Sequence, residues 1–519
     1  MRRVGTALAC TLAIGSASCA WHQVIDPRLH ERSAIPPFSQ GHSAQALKVH
    51  MLSGSLFMLR PWKLTDNGDF LVGRGQKFDA QRAPAGEGEF WIAVNDIALA
   101  ESSDNATAGM GGASGLAFLA TTFGALATVC ALDPKACFGS CPTFYVNGHT
   151  GAPDAEGFSQ SIARVLEARD VDALPSVHPR DGRLSVLMRN EALETHAVRR
   201  LRLLAATRPI GSQVLATPDG RFFLSSALAE PLACHAAEGD CRPAVLARDR
   251  NERTSPANPD DLAARETIDL VFPDAPPRAG IVIAARQTLL TTFVFYQTLA
   301  YLGSHAGDWL AALERGGPAA GNAAMALAHR LGGIEVHVEQ ADGTWCRAGS
   351  YDEAGPIAGD LQVIPIERCA LTSGAPTHVR LRLTQGHWRL DWVALAQLDA
   401  SMTPSVHEPE LVERDGRPQA EALASLRGEG RRLITQPGDS YLIHFRLPKP
   451  EASEALEVFL ESEGFYYEWM RQEWLRDEDA EMARLMFANP DEALRRLAPE
   501  FKAREAHAEE VFWKSRVGR

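Results

Sequence analysis

The stretch "HVRLRLTQGHWRLDWVAL", residues 378–395, decides the fold class, because apolar and polar side chains alternate on both sides of a short turn. Such alternation is typical of β-strands that bury one face. The nearby stretches "GIEVHVEQADGTW" and "LQVIPIERCAL" repeat the pattern. The sequence therefore predicts a β-sandwich-like domain over residues 331–450.

The turn in the middle of this stretch predicts a β-hairpin. If Gln385 and Gly386 are the two turn residues, Arg380 lies opposite Asp391 on the outer face. Such a cross-strand ion pair contributes about 0.2–1 kcal/mol. The residues predicted on the core face are Trp388, Leu390 and Trp392.

Patterning along the rest of the chain predicts a succession of segments. They are a signal peptide (1–18), an anchor and tether (19–44), a small antiparallel β-module (45–102), an apolar Ala/Gly helix (103–132), a β-rich domain with a CxxxC motif (133–247), a linker (248–261), a strand plus an apolar helix (262–330), the β-sandwich-like domain (331–450) and a helical C-terminal region (451–519). In the last segment, "ANPDEAL" predicts the N-cap of a helix with Pro490 in its first turn. The predicted fold is mainly β, with several antiparallel β-modules, and α+β overall.

The first residues predict export. Two arginines precede a long uncharged run, and this order is typical of secretory signal peptides. "SASC", residues 16–19, resembles the lipobox of bacterial lipoproteins, although Ser16 stands where leucine is usual. We therefore expect a lipid on Cys19 that holds the chain to a membrane, with an ordinary cleaved signal peptide as the alternative. Ala20 is not the aspartate of inner-membrane retention, so we expect an outer-membrane lipoprotein that faces the periplasm or the outside.

Export would place the remaining cysteines in an oxidising compartment, where pairing is the default. Proximity along the chain predicts three disulfides: Cys137–Cys141, Cys234–Cys241 and Cys346–Cys369. Cys130, which ends an apolar stretch, is then left as a buried free thiol.

The motif "CFGSC", residues 137–141, allows two other interpretations. A redox site would place one thiol at a helix N-terminus, whereas this segment runs into the strand-like "PTFYV". A zinc site would need two further ligands, which "CHAAEGDC", residues 234–241, could supply only if the two segments meet. A structural disulfide is therefore the prediction, with redox and zinc chemistry as alternatives.

Residues 106–132 contain no charged side chain and are long enough to cross a bilayer. A single crossing would send the rest of the chain to the other side of the inner membrane, where six cysteines would lie in a reducing compartment. We therefore predict a helix that is buried or rests on a membrane. A membrane span is the alternative.

Residues 464–475, "GFYYEWMRQEWL", form the candidate binding surface. With helical spacing, two aromatic faces would form on this segment. The candidate residues are Phe465, Tyr466, Tyr467, Trp469 and Trp474. Exposed aromatic rings could bind a glycan, a lipid headgroup or an envelope protein. The alternative is a docked helix whose aromatic rings are buried.

The sequence predicts no catalytic residue, no metal and no cofactor, because it lacks the motifs of the common sites. "EVHVE" places Glu335, His337 and Glu339 on one strand face, a pattern more typical of a solvated face than of a metal site. The excess of 65 acidic over 52 basic residues gives a net charge of −13. That charge argues against nucleic acid as a partner.

Several motifs taken together resemble a set of uncharacterised bacterial envelope lipoproteins: "CFGSCPTFYV", "WRLDWVAL" and "GFYYEWMRQEW". The resemblance implies lipidation and a β-rich architecture, and it implies no catalytic residue. We thus predict an exported, lipid-anchored envelope protein with a binding or assembly role. One alternative is a hydrolase acting on glycans or cell wall, which a deep pocket lined by two carboxylates would favour. Another is a membrane-integrated assembly component.

Overall fold

The computed structural model describes residues 28–30, 46–103 except 54 and 80–83, 139, 141–146, 151–352 except 175, 176 and 178, 355–430, 432–469 and 476–516. Strands predominate among these residues and form five sheets, which we call A to E. Helices fill a smaller part of the chain. The prediction of a mainly β, α+β fold is confirmed.

Sheet A consists of the first strands of the chain, and all its pairs are antiparallel. They are β1 (Arg28–His30), β2 (Ala46–Met51), β3 (Leu56–Leu64), β4 (Phe70–Phe78), β5 (Pro84–Ala93) and β6 (Ile97–Ser103). Their order in the sheet is β1-β6-β2-β3-β4-β5. Strand β1 lies within the predicted tether, so part of that segment joins the sheet.

Sheets B and C combine strands from distant parts of the chain. Sheet B contains β7 (Thr143–Val146), β8 (Ala155–Glu156), β10 (Arg183–Arg189), β26 (Leu411–Arg414), β27 (Arg417–Pro418) and β29 (Ser440–Arg446). Sheet C contains β9 (Ala168–Ala173), β11 (Glu194–Pro209), β25 (Ser405–His407), β28 (Leu433–Thr435) and β30 (Glu454–Glu468). Strands β11 and β30 form a long antiparallel pair in the middle of sheet C.

Sheets D and E hold the stretch from which the sequence analysis began. Sheet D contains β12 (Gln213–Ala216), β13 (Phe222–Ser225), β14 (Leu228–Ala229), β18 (Ala279–Gln287), β21 (Asp360–Pro365), β23 (Trp388–Gln397) and β24 (Ser401–Met402). Sheet E contains β15 (Ala233–Ala236), β16 (Gly239–Asp240), β17 (Arg265–Phe272), β19 (Ile334–Glu339), β20 (Trp345–Tyr351) and β22 (Thr377–Thr384). The contact of β12 with β21 is parallel.

Sheets B, C, D and E are stacked in that order, with an apolar core between each neighbouring pair. Between B and C, Val186 of β10 packs in one core with Leu203 of β11. Between C and D, Leu204 of β11 shares a core with Val282 of β18. Between D and E, Ile283 of β18 faces the apolar side chains of sheet E. Sheets C and D are therefore covered on both faces.

This stacking explains why some strands are almost wholly apolar in sequence. Along β18, Ile281 and Ile283 face sheet E, while Val282 and Ala284 face sheet C. A strand that is covered on both faces needs apolar residues at every position rather than at every second one. Burial of each such aliphatic side chain stabilises the fold by about 1.5–3 kcal/mol.

The predicted hairpin at residues 378–395 is wrong. Strand β22 pairs with β17 and β19 in sheet E, whereas β23 pairs with β14 and β18 in sheet D. The turn between them passes from one sheet to the next, and Gly386 at φ +70° lies against Ala257 with no room for a Cβ. Arg380 consequently binds Asp269 at 2.7 Å and not Asp391.

The alternation could not reveal this error, because it is the same in a hairpin and in a turn between two sheets. Leu381 and Leu390 do face one core, but from facing sheets instead of from neighbouring strands. A bulge opposite Ala284 and Ala285 shifts the register of β23. Trp392 therefore packs toward the core between sheets C and D, not beside Leu390.

The helices lie between and beyond the strands: α1 (Leu290–Leu302), α2 (Ala306–Ala324), α3 (Ala326–Leu331), α4 (Ala420–Leu426), α5 (Ala480–Ala488) and α6 (Pro490–Lys514). The apolar helix predicted after β18 is α1, and most of it is buried. Helix α6 begins at Pro490, and the side chain of Asn489 accepts a hydrogen bond from the backbone N–H of Glu492 at 3.4 Å. The N-cap predicted from "ANPDEAL" is thus confirmed.

The prediction of a helical C-terminal region is wrong for its first part, because residues 454–468 form strand β30. Glu, Leu and Ala in this segment favour a helix, but pairing with β11 along its whole length outweighs that preference. Gly464 lies opposite a bulge in β11, where a Cβ would approach the carbonyl oxygen of Ala197 to 2.6 Å.

The strand pairings cross the predicted segment boundaries. Strands β7 and β10 of the predicted 133–247 domain share sheet B with β29 of the predicted 331–450 domain. The predicted linker at 248–261 is packed into the fold, since the side chain of Arg253 is 4% exposed and binds Glu266 at 2.7 Å. These segments therefore form shared sheets and not separate units.

Some predictions concern residues outside the described part of the chain. These are the signal peptide at 1–18, the lipid on Cys19, the free thiol of Cys130, and nearly all of the apolar helix at 103–132. Among the helices that the structure describes, none combines the length and apolar character that crossing a membrane would require.

Candidate functional site

A cavity of about 550 Å³ opens where the helices meet sheet E. Helices α1, α2, α3 and α5 contribute one wall, which we call the helical wall. Strands β17, β19 and β20 contribute the other, which we call the sheet wall. A volume of this size is typical of sites that enclose a small molecule, roughly 300–1,000 Å³.

The helical wall is mostly apolar. Its apolar side chains include Val294, Phe295, Trp309, Leu327 and Phe487, and its polar ones are Thr291, Thr292, Thr298 and His329. The rings of Trp309 and Phe487 lie 5.4 Å apart between centroids, so α2 and α5 contribute neighbouring aromatic surfaces. Phe487 is 38% exposed, which places an unburied aromatic ring at this wall.

The sheet wall is charged, and its centre is Glu335. One carboxylate oxygen lies 3.2 Å from Nε2 of His337, and the other lies 3.8 Å from Nη2 of Arg347. Partial burial alone would raise the pKa of Glu335, but the hydrogen bond from His337 and the positive charges of Arg347, Arg382 and Arg265 lower it below its usual range. Glu335 is therefore an ionised carboxylate held by cations.

Arg265 lies over Gly332, whose φ of +62° and missing side chain both make room for the guanidinium. A Cβ on Gly332 would approach Nη2 of Arg265 to 2.7 Å. Burial, together with the neighbouring charge of Arg265, lowers the pKa of His387 to about 3. His387 is thus neutral in this wall, and Arg265 carries the positive charge.

Two buried donors at the cavity have no acceptor among the described residues. They are Nη1 of Arg265 and the indole Nε1 of Trp388. Both residues line the cavity, and Trp388 is 2% exposed. A buried donor without an acceptor costs about 1–3 kcal/mol, so these two groups need an explanation.

Two of the three predicted disulfides are confirmed. Cys234 is bonded to Cys241 across β15 and β16, and Cys346 is bonded to Cys369. Because Cys234 and Cys241 are bonded to each other, they cannot serve as zinc thiolates, and the zinc alternative for the CxxxC motif loses those ligands.

The predicted Cys137–Cys141 disulfide is wrong, because Cys141 is a buried free thiol. Its Sγ donates to a carboxylate oxygen of Glu156 at 3.5 Å and accepts from the hydroxyl of Ser159 at 3.6 Å. Burial, and then the nearby Glu156, raise the pKa of the thiol. A protonated thiol is a poor nucleophile, so redox chemistry at Cys141 is not favoured. Cys137 lies outside the described residues.

Glu156 lies directly behind the cavity. It accepts a hydrogen bond from the backbone N–H of Ile357 at 3.1 Å, and Gly355, which lines the cavity, packs against its carboxyl group. Burial raises the pKa of Glu156 to about 8. The cluster of Cys141, Glu156 and Ser159 is therefore a buried, largely protonated polar group under the cavity floor.

The predicted aromatic binding surface is wrong for the described residues. Phe465, Tyr466, Tyr467 and Trp469 belong to β30 or directly follow it, and each is 1% exposed or less. Phe465 and Tyr467 face one core and Tyr466 another, as the alternation of a strand requires. The buried alternative is thus the correct one for these residues. Trp474 lies outside the described residues.

Within the described ranges of the chain, no group of three potential metal ligands is placed to hold an ion. Glu335, His337 and Glu339 do share the outer face of β19, with Ile334, Val336 and Val338 buried beneath. Glu335 instead pairs with His337 and the surrounding arginines.

Most of the residues that form the cavity could not be identified from the sequence. Arg265 begins β17, and Trp388 begins β23, which the hairpin prediction placed in the core alone. The helical wall comes from α1 to α3 and from α5, which are far apart in the chain. Two residues of the lining had been singled out in the sequence: Glu335 by the "EVHVE" pattern, and Tyr466 as a candidate of the aromatic binding surface.

Comparisons with known proteins assign no family. No protein-family model matches the chain, and no curated protein matches it. Solved structures that align with it include the "Structure of infectious bursal disease virus Gt strain", at 10% identity over 92% of this chain and 90% of that chain, with a TM-score of 0.13. A TM-score that low carries no argument about fold or function.

Proposed function

We propose that this chain is an exported, lipid-anchored cell-envelope protein that binds a small molecule in the cavity between the helices and sheet E. The cavity is the observation that carries the binding role, since it combines a mostly apolar helical wall with a charged sheet wall. The proposed export is supported by the two disulfides, which persist in oxidising compartments. The arginine-led start and Cys19 support a lipid anchor that faces the periplasm or the outside.

The prediction of a glycan or protein partner rested on an exposed aromatic surface, which the described residues do not form. Phe465 to Tyr467 and Trp469 are core residues, so the binding role moves to the cavity. Binding of a small ligand is compatible with a role in assembly. Helix α5 and sheet E both line the cavity, so a bound ligand would change how they pack against each other.

The cavity is tested by native mass spectrometry of the protein purified from membranes. We expect a co-purifying small molecule in the wild-type protein. Ala328→Trp, which introduces an indole at a cavity-lining position of α3, should abolish it. Ala420→Trp makes the same change at an exposed position of α4 and should retain the ligand. Equal occupancy in all three proteins would refute a ligand in this cavity.

The anchor is tested by detergent-phase partitioning and mass spectrometry of the N-terminal peptide. We expect an acylated Cys19 in the native protein and release from the membrane in Cys19→Ala. An unmodified Cys19 would reject the anchor and leave the cavity proposal untouched.

A glycan or cell-wall hydrolase is the second candidate, because two carboxylates, Glu335 and Asp352, line the cavity. Such enzymes need one carboxyl group with a raised pKa as the general acid. Glu335 has the opposite shift, and so it fits a nucleophile or base only. Turnover of cell-wall fragments that is lost in both Glu335→Gln and Asp352→Asn would establish this candidate over simple binding.

A further inference from the structure

We infer that the ligand of the cavity is an amphiphilic carboxylate, a molecule with one acidic group and an apolar body. The inference rests on the proposed binding function and names the class of ligand. The acidic group would bind at Arg265 and Trp388, and the apolar body would lie along the helical wall.

The charges of the sheet wall leave one cation without a carboxylate partner. Two guanidinium groups, those of Arg265 and Arg347, line the cavity together with two carboxylates, those of Glu335 and Asp352. Glu335 has a nitrogen of Arg347 and one of Arg382 within 4 Å, and Asp352 accepts a hydrogen bond from the hydroxyl of Ser350. Arg265 has no such ion pair with a described carboxylate, and its charge is therefore the one left for a ligand.

The unpaired donors favour an acceptor with two oxygens. Nη1 of Arg265 and Nε1 of Trp388 have no acceptor in the part of the chain that the structure describes, and they lie just behind the cavity surface, where water does not reach them. A carboxylate that enters beside them can accept from a guanidinium with good geometry and relieve the cost of the buried donors. His387, which also lines the cavity, is neutral and adds no competing charge.

The helical wall disfavours a purely polar ligand, because the hydroxyls of its Thr291 and Thr298 are already bonded to His387 and to the carbonyl of Val294. Val294, Phe295 and Leu327 offer no hydrogen-bonding group, and a sugar placed there would lose its hydrogen bonds to water. A purely apolar ligand would leave the two donors unpaired. A doubly charged phosphate would be repelled by the ionised Glu335. A single carboxylate on an apolar body satisfies both walls.

The test is isothermal titration of the full chain with dodecanoate and with dodecanol, in buffer without detergent. The chain carries Cys19→Ala, so that no attached acyl group competes for the cavity. We expect dodecanoate to bind at least about tenfold more tightly than dodecanol, the size expected for hydrogen bonds to a charged group.

Three variants test which side chains donate hydrogen bonds to the carboxylate of the ligand. Arg265→Met keeps the side-chain length and should weaken dodecanoate by about tenfold or more while leaving dodecanol unchanged. Trp388→Phe keeps the ring, removes the N–H and should weaken dodecanoate about threefold or more. Arg382→Met removes a charge of the same wall at a residue that does not line the cavity, and it should have a smaller effect than Arg265→Met.

The outcomes separate the two proposals. If the two ligands bind equally, if dodecanol binds alone, or if Arg265→Met changes neither affinity, the carboxylate inference is overturned while binding in the cavity stands. If neither ligand binds, or if both still bind to Ala328→Trp as to the wild type, the cavity proposal fails as well.

Discussion

Two of the sites at which the described residues combine a cation with a tryptophan differ in whether their hydrogen bonds are complete. Where sheet A meets sheet C, Nζ of Lys48 lies 2.6 Å from a carboxylate oxygen of Glu101 and 4.3 Å from the ring centroid of Trp469. Nε1 of Trp469 donates to the hydroxyl of Thr195 at 3.0 Å. At the cavity, Nη1 of Arg265 and Nε1 of Trp388 have no acceptor among the described residues.

The difference indicates what each site is for. Lys48 and Glu101 are 5% and 3% exposed and are each other's partners, so they hold sheet A against the body of the protein. Arg265 and Trp388 lie beside space that a ligand can enter. A complete buried polar network fixes a structure, whereas an incomplete one beside a cavity indicates a missing partner.

The largest expected effect is at the complete site. Lys48→Met should lower the free energy of unfolding by about 3–5 kcal/mol, because Glu101 would remain buried without its cation. Urea denaturation measures this change. Lys48→Met combined with Glu101→Leu should recover much of the loss, since no charge is then stranded. A single variant as stable as the wild type would show that the contact is not formed in solution.

The next effect concerns Glu156, a buried carboxyl with no cation within ion-pair distance among the described residues. Its pKa is raised from 4.5 to about 8, so between these values the folded state holds a proton that the unfolded state has released. The contribution of Glu156 to the free energy of unfolding should therefore fall as the pH rises from about 4.5 to about 8, with a slope of up to about 1.4 kcal/mol per pH unit. The buried His196 and His387, whose pKa values are lowered from 6.5 to about 3, contribute in the opposite direction below pH 6.5.

Glu156→Gln should reduce that slope, because the amide cannot ionise. Urea denaturation at a series of pH values between 5 and 8 measures it. Glu87→Gln, which changes an exposed residue of β5, is the matched control and should leave the slope as in the wild type. Parallel slopes in the wild type and Glu156→Gln would mean that Glu156 is ionised in the folded protein.

A smaller effect separates the two tryptophans. Trp469→Phe removes the hydrogen bond to Thr195 and should cost about 0.5–1.5 kcal/mol. Trp388→Phe removes an N–H that has no acceptor among the residues described by the structure, and it should cost less. Denaturation of the two variants side by side measures the difference. A greater loss for Trp388→Phe would show that its N–H has a partner in the protein.

Features that depend on neighbouring residues were predicted from the sequence. Features that depend on pairing with distant segments were missed. The strands, the disulfides of Cys234 and Cys346, and the N-cap at Asn489 follow from neighbouring residues, and the structure contains them. The hairpin at Gly386 and the helix at residues 454–468 fail, because partners far along the chain decide them.

The cavity is also a feature that depends on distant segments. Arg265, Trp388 and Phe487 come from three distant segments that only the stacked sheets and helices bring together. No spacing within one segment could have indicated that these residues share a site. The absence of a catalytic motif was therefore weak evidence about the site. The positions of the buried donors are stronger evidence.

The smallest expected effect on stability is at the incomplete site, and it is the sharpest test of the comparison. Arg265→Met removes a half-buried cation that forms no ion pair with a described carboxylate, so the free energy of unfolding should stay within about 0.5 kcal/mol of the wild type. Lys48→Met should unfold the protein far more easily, although both substitutions replace a cation with methionine. Urea denaturation of the two variants in the absence of ligand measures the contrast. A loss at Arg265 as large as that at Lys48 would mean that the guanidinium is already satisfied within the protein, and the cavity would then have no unpaired charge for a ligand.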